Sequence, residues 1–181
     1  MAKSELEEFR EMKDEFFKTD RNSPLTREQK KAFRGLSYFP ENPALQLEVE
    51  VEEFPEQQEI EMQTSTGDVQ RYHRYGRFTF EVDGQPAQLT IYSSGDGYFL
   101  PFVDSLAGKE TYPAGRYLEP ERLDGSRFLV DFNLAYNPYG AYNEMWSCPL
   151  TPFENRVKVP VRAGEMLPEG GWGDHGSFPM K

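Results

Sequence analysis

Residues 127–165 read RFLVDFNLAYNPYGAYNEMWSCPLTPFENRVKVPVRAGE, and this stretch contains two strand patterns with an aromatic loop between them. In the first pattern, apolar residues alternate with residues of mixed polarity. A period of two is typical of a strand that buries one side. The apolar members are Phe128, Val130, Phe132 and Leu134. The opposite face places Asp131 and Asn133 beside a leucine, so we do not expect it to be simply solvated.

The aromatic loop and the second strand pattern follow. Three tyrosines lie within seven residues of the loop, at positions 136, 139 and 142. Asn137-Pro138 and Tyr139-Gly140 are turn signals. Further on, valines at positions 157, 159 and 161 alternate with lysine, proline and arginine. This alternation predicts a second strand, and Pro160 indicates that it lies at a sheet edge or a bulge.

The rest of the chain is helical at its beginning and strand-like thereafter. Ser4 and Glu7 form a capping box ahead of an apolar stripe at helical spacing, and Thr26 caps a second, short helix. From Leu45 onward the period is two, and Asp83-Gly84 is a hairpin signal. About seven to nine short strands with glycine turns predict a mainly β fold, an antiparallel β-barrel or sandwich with an N-terminal helical cap.

Composition limits the classes of protein to which the chain can belong. It contains 31 acidic and 20 basic residues, a net charge of −11, which argues against nonspecific binding to nucleic acid or to an anionic membrane. One cysteine excludes an internal disulfide, and there is neither an apolar signal core nor a run of about 18 apolar residues. We expect a soluble, cytoplasmic, single-domain protein over residues 1–167, with helices at 4–34 and a loose tail at 168–181. The sequence does not indicate its oligomeric state.

Several long motifs resemble the domain of unknown function 1684 family of bacteria and archaea. They are DFNLAYNPYGAY and CPLTPFENRVKVPVRAGE, with LPFVDSLAGKETYPAGRYLE and SPLTREQKKAFRGLSYFPENPAL earlier in the chain. The resemblance covers roughly Phe9 to Glu165, and the family brings no established activity. Members often have a cysteine where this chain has Gly140, in the same motif as Cys148. The departure implies that a two-cysteine redox or metal site is dispensable here.

The two distinctive loops, residues 104–116 and 133–155, contain the best candidates for a site. One interpretation is a pocket for a small polar ligand, in which Asp131 and Glu154 orient ligand donors and Arg116 holds either an anionic group or Asp131. The rings of Tyr112, Tyr136, Tyr142 and Trp146 would form its walls. The other is a structural network of buried polar groups holding turns and ion pairs. The residues concerned are Asp104, Tyr112, Arg116, Asp131, Asn133, Tyr136, Asn137, Glu154 and Asn155.

Catalysis and protein interaction are also compatible with the sequence. Asp131 and Glu154 are weak catalytic candidates as a carboxylate pair. A variant adds a hard cation held by Asp104, Asp131, Asn133, Glu154 and Glu165, which no calcium-loop spacing supports. Two histidines and one cysteine, far apart, predict no zinc site. No Gly-x-Ser-x-Gly elbow, phosphate-binding glycine loop or basic cradle for a flavin is present, so the cofactor is unknown. A protein-interaction module would use the acidic strand face at Glu48, Glu50, Glu52 and Glu53.

Overall fold

The computed structural model describes residues 3–95 and 97–168, and two helices precede nine strands within these ranges. The helices are α1 (Glu5–Thr19) and α2 (Arg27–Ala32). The strands are β1 (Gln46–Glu50), β2 (Glu52–Glu53), β3 (Glu59–Gln63), β4 (Val69–Val82), β5 (Gln85–Ser94), β6 (Gly97–Phe102), β7 (Arg116–Leu118), β8 (Glu121–Asp124) and β9 (Arg127–Asp131). Of the predicted tail, only Pro168 falls within the described residues, and the assignment of one domain stays a prediction.

The strands form two antiparallel sheets. One sheet has the order β1-β9-β8, and the other has the order β2-β4-β5-β6-β7 with β3 also paired to β4. The chain passes from the first sheet to the second between β1 and β2, where Val51 is buried at the crossing. The sheets do not close on themselves, so the architecture is sandwich-like rather than a barrel. The prediction of a mainly β, antiparallel fold is confirmed.

The main core lies between the two sheets, as the period of two predicts. Phe128 and Val130 of β9 are fully buried in one cluster with Phe78 and Phe80 of β4. The ring of Phe132 lies 5.3 Å from that of Phe80. The side chains that face the opposite sheet are therefore those that the alternation in the sequence selects.

Both strand predictions in the stretch 127–165 need correction, the first at its end and the second throughout. β9 stops at Asp131 because its carboxylate accepts the backbone N–H of Asn133 at 3.0 Å, which starts a single 3₁₀ turn over Phe132–Leu134. Leu134, predicted on the buried face, is 39% exposed as a result. The valine segment at 157–161 is not a strand.

The valine segment does alternate in burial, with Val159 and Val161 buried. Its backbone meets the chain beyond β6 in one parallel bridge, Val103 to Arg156, and does not continue as a ladder. Two features end the pairing: Pro160 has no N–H to donate, and the N–H of Val161 is bound by a side-chain carboxylate. The alternation in the sequence reflects burial here, and not membership of a sheet.

The two helices cap the sandwich over the aromatic loop. Each begins with a complete capping box, Ser4 with Glu7 in α1 and Thr26 with Gln29 in α2. Phe17 is the one fully buried residue of α1, and it belongs to a second small core with Tyr142 of the loop. No helix in the described part of the chain is long and apolar enough to cross a membrane.

Candidate functional site

Arg116 and Asp104 form a buried ion pair that is fully engaged with the protein itself. The Arg116 side chain is 1% exposed, and its guanidinium donates to Asp104 at 3.4 Å and to three backbone carbonyls. Asp104 also accepts from the N–H of Val161 at 2.8 Å and from the hydroxyl of Thr111 at 3.1 Å. Burial lowers the pKa of Arg116 to about 10, against the effect of the neighbouring carboxylates. This arrangement is that of a structural clamp between β7 and residues 161–165.

The amides of Asn133 and Asn155 replace missing backbone partners. Asn133 exchanges two hydrogen bonds with the backbone of Asn42, at 2.8 and 3.0 Å, and donates to Asp131 at 2.9 Å. Asn155 accepts from the N–H of Thr90 at 2.8 Å and donates to the carbonyls of Thr90 and Pro101 at the same distance. It therefore joins β5 to β6 beyond the point where their own ladder ends.

Glu154 lies in a different part of the molecule from Asp131. Arg74 binds it with two nitrogens at 2.8 and 3.1 Å, and the hydroxyl of Tyr92 donates to it as well. Burial acts to raise the pKa of Glu154, but the hydrogen bonds from Arg74 and Tyr92 outweigh it, and the pKa is lowered. Neither a hydrogen bond nor an ion pair joins Glu154 to Asp131 in residues 3–95 and 97–168.

A metal site and an uncompensated acidic face likewise receive no structural support. The described residues contain no group of three or more His, Cys, Asp or Glu side chains placed to hold a metal. The acidic face of β1 and β2 is partly neutralised within the chain, since Glu48 pairs with Arg127 and Glu52 with Arg77.

A second buried network is centred on Glu165 and fixes α1 to the aromatic loop. One carboxylate oxygen accepts from the N–H of Asn137 at 2.9 Å and from the hydroxyl of Tyr142 at 3.0 Å. The other accepts from the ammonium of Lys13 in α1. The amide of Asn137 donates to Tyr142 and to the carbonyl of Met166, each at 3.0 Å. The sequence signal for this contact was a lysine within the apolar stripe of the first helix.

Between α1 and the aromatic loop lies a groove of about 770 Å³, which we call the α1 groove. One wall is formed by α1 and the other by the loop. Tyr117, Glu119 and Pro149 also line a neighbouring depression, so they mark the end of the groove that adjoins it. Its lining includes Phe9, Met12, Lys13 and Phe16 of α1, with Leu134, Tyr136, Tyr139 and Trp146 of the loop. Most of these groups are apolar or aromatic, so the groove differs in character from the polar pocket that the sequence predicted.

Few polar groups face the α1 groove. The ammonium of Lys13 lies 4.9 Å from the centre of the Tyr136 ring. The hydroxyl of Tyr136 donates to the carboxylate of Glu119, and that of Tyr117 donates to the carbonyl of Pro149. The groove therefore joins an apolar trough to a small polar end.

The predicted site residues divide between the groove and the networks. Tyr136 and Trp146 line the α1 groove, and Tyr112 lines a smaller adjoining cavity of about 230 Å³. Asp104, Arg116, Asp131, Asn133, Asn137, Asn155 and the buried ring of Tyr142 lie in the hydrogen-bonded networks, and Glu154 lies beside Arg74. Sequence reasoning missed Lys13, Glu119 and Leu134 as groove residues. Their spacing gave no signal, because the groove forms between segments distant in the chain.

Cys148 lines both the α1 groove and the smaller adjoining cavity. Its sulfur accepts the N–H of Gly140 at 3.3 Å, and burial raises the pKa of the thiol. A side-chain Cβ built at Gly140 would lie 3.5 Å from the sulfur. The two positions at which the resembling family often has cysteines are therefore adjacent in space, although this chain has a thiol at only one of them.

Comparison with known proteins identifies a family. A family model described as a protein of unknown function (DUF1684) matches residues 31–166. The chain is also similar to the solution NMR structure of an uncharacterized protein of Haloarcula marismortui, with 34% identity and a TM-score of 0.68, over 89% of this chain and 91% of that chain. No curated protein matches it. The matched residues include both distinctive loops, and the chain belongs to the DUF1684 family.

Proposed function

We propose that the protein binds a small molecule in the α1 groove. The observation that carries the proposal is the groove itself, whose volume of about 770 Å³ lies within the roughly 300–1,000 Å³ typical of ligand sites. Its apolar side chains are also unusually exposed, with Phe9 at 45% and Met12 at 73%. A ligand that covers them removes apolar surface from water, which favours binding.

The composition of the groove suggests an amphipathic ligand. Phe16, Leu134 and Trp146 offer apolar contacts along the trough, whereas Glu119 and the hydroxyl of Tyr136 lie at its polar end. A ligand with an apolar body and one polar group matches this distribution, since unpaired polar groups are costly to bury. We further propose that the protein is cytoplasmic.

The test uses two leucine substitutions that differ only in their place. Leu134→Trp fills the groove, while Leu123→Trp adds the same side chain on β8, outside the groove. The two leucines are comparably exposed, at 39% and 36%, so general effects of a surface tryptophan cancel. The probe is 5-phenylpentan-1-ol, titrated into isotopically labelled protein and followed in ¹H–¹⁵N spectra.

We expect saturable shifts of amides around the groove. Leu134→Trp should weaken binding by about fivefold or more and Leu123→Trp by less than about twofold, because only the first occupies ligand volume. The proposal fails if the wild-type protein shows no saturable shifts, or if both variants bind as the wild type does.

A further inference from the structure

Glu119 occupies a distinctive position at the polar end of the α1 groove. It lies between β7 and β8 and lines both the groove and a shallower depression of about 320 Å³ that continues past it. The side chain is exposed, so it is accessible to a ligand in either space. A molecule that occupies both spaces would lie beside this carboxylate.

The charges around the groove leave Glu119 as its uncompensated group. Lys13 also lines the groove, but its ammonium is paired with Glu165, which is 2% exposed directly behind it. Glu119 forms no ion pair with any residue that the structure describes, and accepts one hydrogen bond, from the neutral hydroxyl of Tyr136. The local balance is therefore negative, and so is the chain as a whole at −11. A negative potential attracts cations and repels anions over the approach to the site.

Aromatic rings surround the same carboxylate. Tyr117 and Tyr136 meet edge to face with their centres 5.8 Å apart. Tyr72 lines the shallower depression, and its pKa is raised by burial and by the charge of Glu119. The ring of Tyr136 already has the ammonium of Lys13 at 4.9 Å. Tyrosine rings next to a carboxylate are a favourable environment for an ammonium group, because the ring faces and the carboxylate are both negative.

We propose that the ligand of the α1 groove is an amphipathic cation, with an ammonium group beside Glu119 and an apolar body along the trough toward Trp146. This inference rests on the proposed function and adds the sign of the ligand's charge. An amphipathic anion is the competing class, since Lys13 could donate to it. The pairing of Lys13 with Glu165 favours the cation.

Three probes with the same phenylalkyl body separate the charge from the apolar contact. They are 4-phenylbutyltrimethylammonium, 5-phenylpentan-1-ol and 5-phenylpentanoate, each titrated into the full chain at low ionic strength and followed in ¹H–¹⁵N spectra. Glu119→Gln removes the charge and keeps the shape. Glu121→Gln is the matched control, because it removes one negative charge from an exposed side chain of β8 that lines neither the groove nor the depression.

We expect the ammonium probe to bind most tightly and the carboxylate probe most weakly. Glu119→Gln should weaken the ammonium probe by about three- to fivefold, the size typical of a partly exposed ion pair, and should leave the alcohol within about twofold. The preference for the cation should persist in Glu121→Gln and decline with added salt.

The outcomes separate the two proposals. If the alcohol binds and the ammonium probe shows no advantage, or if Glu119→Gln leaves that advantage unchanged, the cation inference is wrong while the groove remains a ligand site. Tightest binding by the carboxylate probe also overturns the inference, and assigns the polar contact to Lys13. If none of the three probes binds the wild-type protein, both proposals fail.

Discussion

Replacing Lys13 with methionine would remove the positive partner of a buried carboxylate while keeping a side chain of similar length. The Glu165 side chain is 2% exposed and that of Lys13 is 19% exposed. After the substitution, Glu165 retains the N–H of Asn137 and the hydroxyl of Tyr142 as donors. It loses the only ion-pair partner that its carboxylate has among the described residues. Arg116 donates to the backbone carbonyl of Glu165 and still attracts the charge, so the compensation becomes weaker.

The cost of Lys13→Met follows from this burial. Removing one partner of a fully buried pair destabilises a protein by about 3–5 kcal/mol. Lys13 is partly open to water and two neutral donors remain on Glu165, so we take a lower value of about 2–3 kcal/mol. For a chain of this length each kcal/mol lowers the melting temperature by roughly 2–4 °C, which predicts a decrease of about 4–12 °C.

Urea denaturation followed by circular dichroism measures the change, and α1 supplies a matched control. Lys3, which precedes α1, pairs with Glu11 of that helix, and both of these side chains are more than half exposed, at 57% and 58%. Lys3→Met should therefore leave the midpoint unchanged. In the double variant Lys13→Met/Glu165→Gln we expect part of the stability to return, since the amide has no charge to compensate. Equal midpoints for the two lysine variants, or no recovery in the double variant, would refute the argument from buried charge.

Two further predictions concern the sheets and the acidic side chain beside them. Gly76→Ala should destabilise the protein by about 1–3 kcal/mol in urea denaturation, because a Cβ there would lie 2.7 Å from the carbonyl oxygen of Glu52. Gly97→Ala, whose Cβ would have its nearest contact at 3.8 Å, is the control, and similar losses in both would count against a steric cause. The pKa of Glu154 is lowered in the folded protein, so the stability that this group contributes is present above its unfolded pKa and is lost as the pH falls through the folded value. Carboxyl NMR titration should show that pKa rising in Arg74→Gln, and an unchanged value would show that Arg74 does not cause the shift.

The strands were predictable where one face is buried, and less so where pairing ends. The alternation of β9 could be seen in the sequence because Phe128 and Val130 face the opposite sheet. The end of β9 was not visible, because the carboxylate of Asp131 starts the turn by a local hydrogen bond that competes with the ladder. The strand prediction at the valines 157–161 was wrong for a related reason. A period of two indicates burial on one side and carries no information about the hydrogen-bond partners of the backbone.

The candidate site was harder to predict than the fold. The sequence marked polar residues in two loops, and the structure places most of them in networks such as the clamp of Arg116 and Asp104. The apolar stripe of the first helix was visible, but an apolar residue in such a stripe is usually buried. Phe9 and Met12 are instead exposed at the groove, because α1 docks through other residues. That choice depends on contacts between distant segments, which local periodicity does not encode.

The way α1 docks explains how the networks and the groove are related. Asp14 accepts from the N–H of Leu36 at 3.0 Å and from the hydroxyl of Tyr38 at 3.1 Å, and Lys13 binds Glu165 on the adjacent side of the helix. These bonds are directional, whereas apolar contacts tolerate rotation of a helix about its axis. Polar docking therefore fixes the rotation of α1 and leaves its apolar stripe beside the loop. In this arrangement Asn137, one of the buried polar residues that the sequence suggested as ligand contacts, belongs to the network that joins α1 to the loop beside the groove.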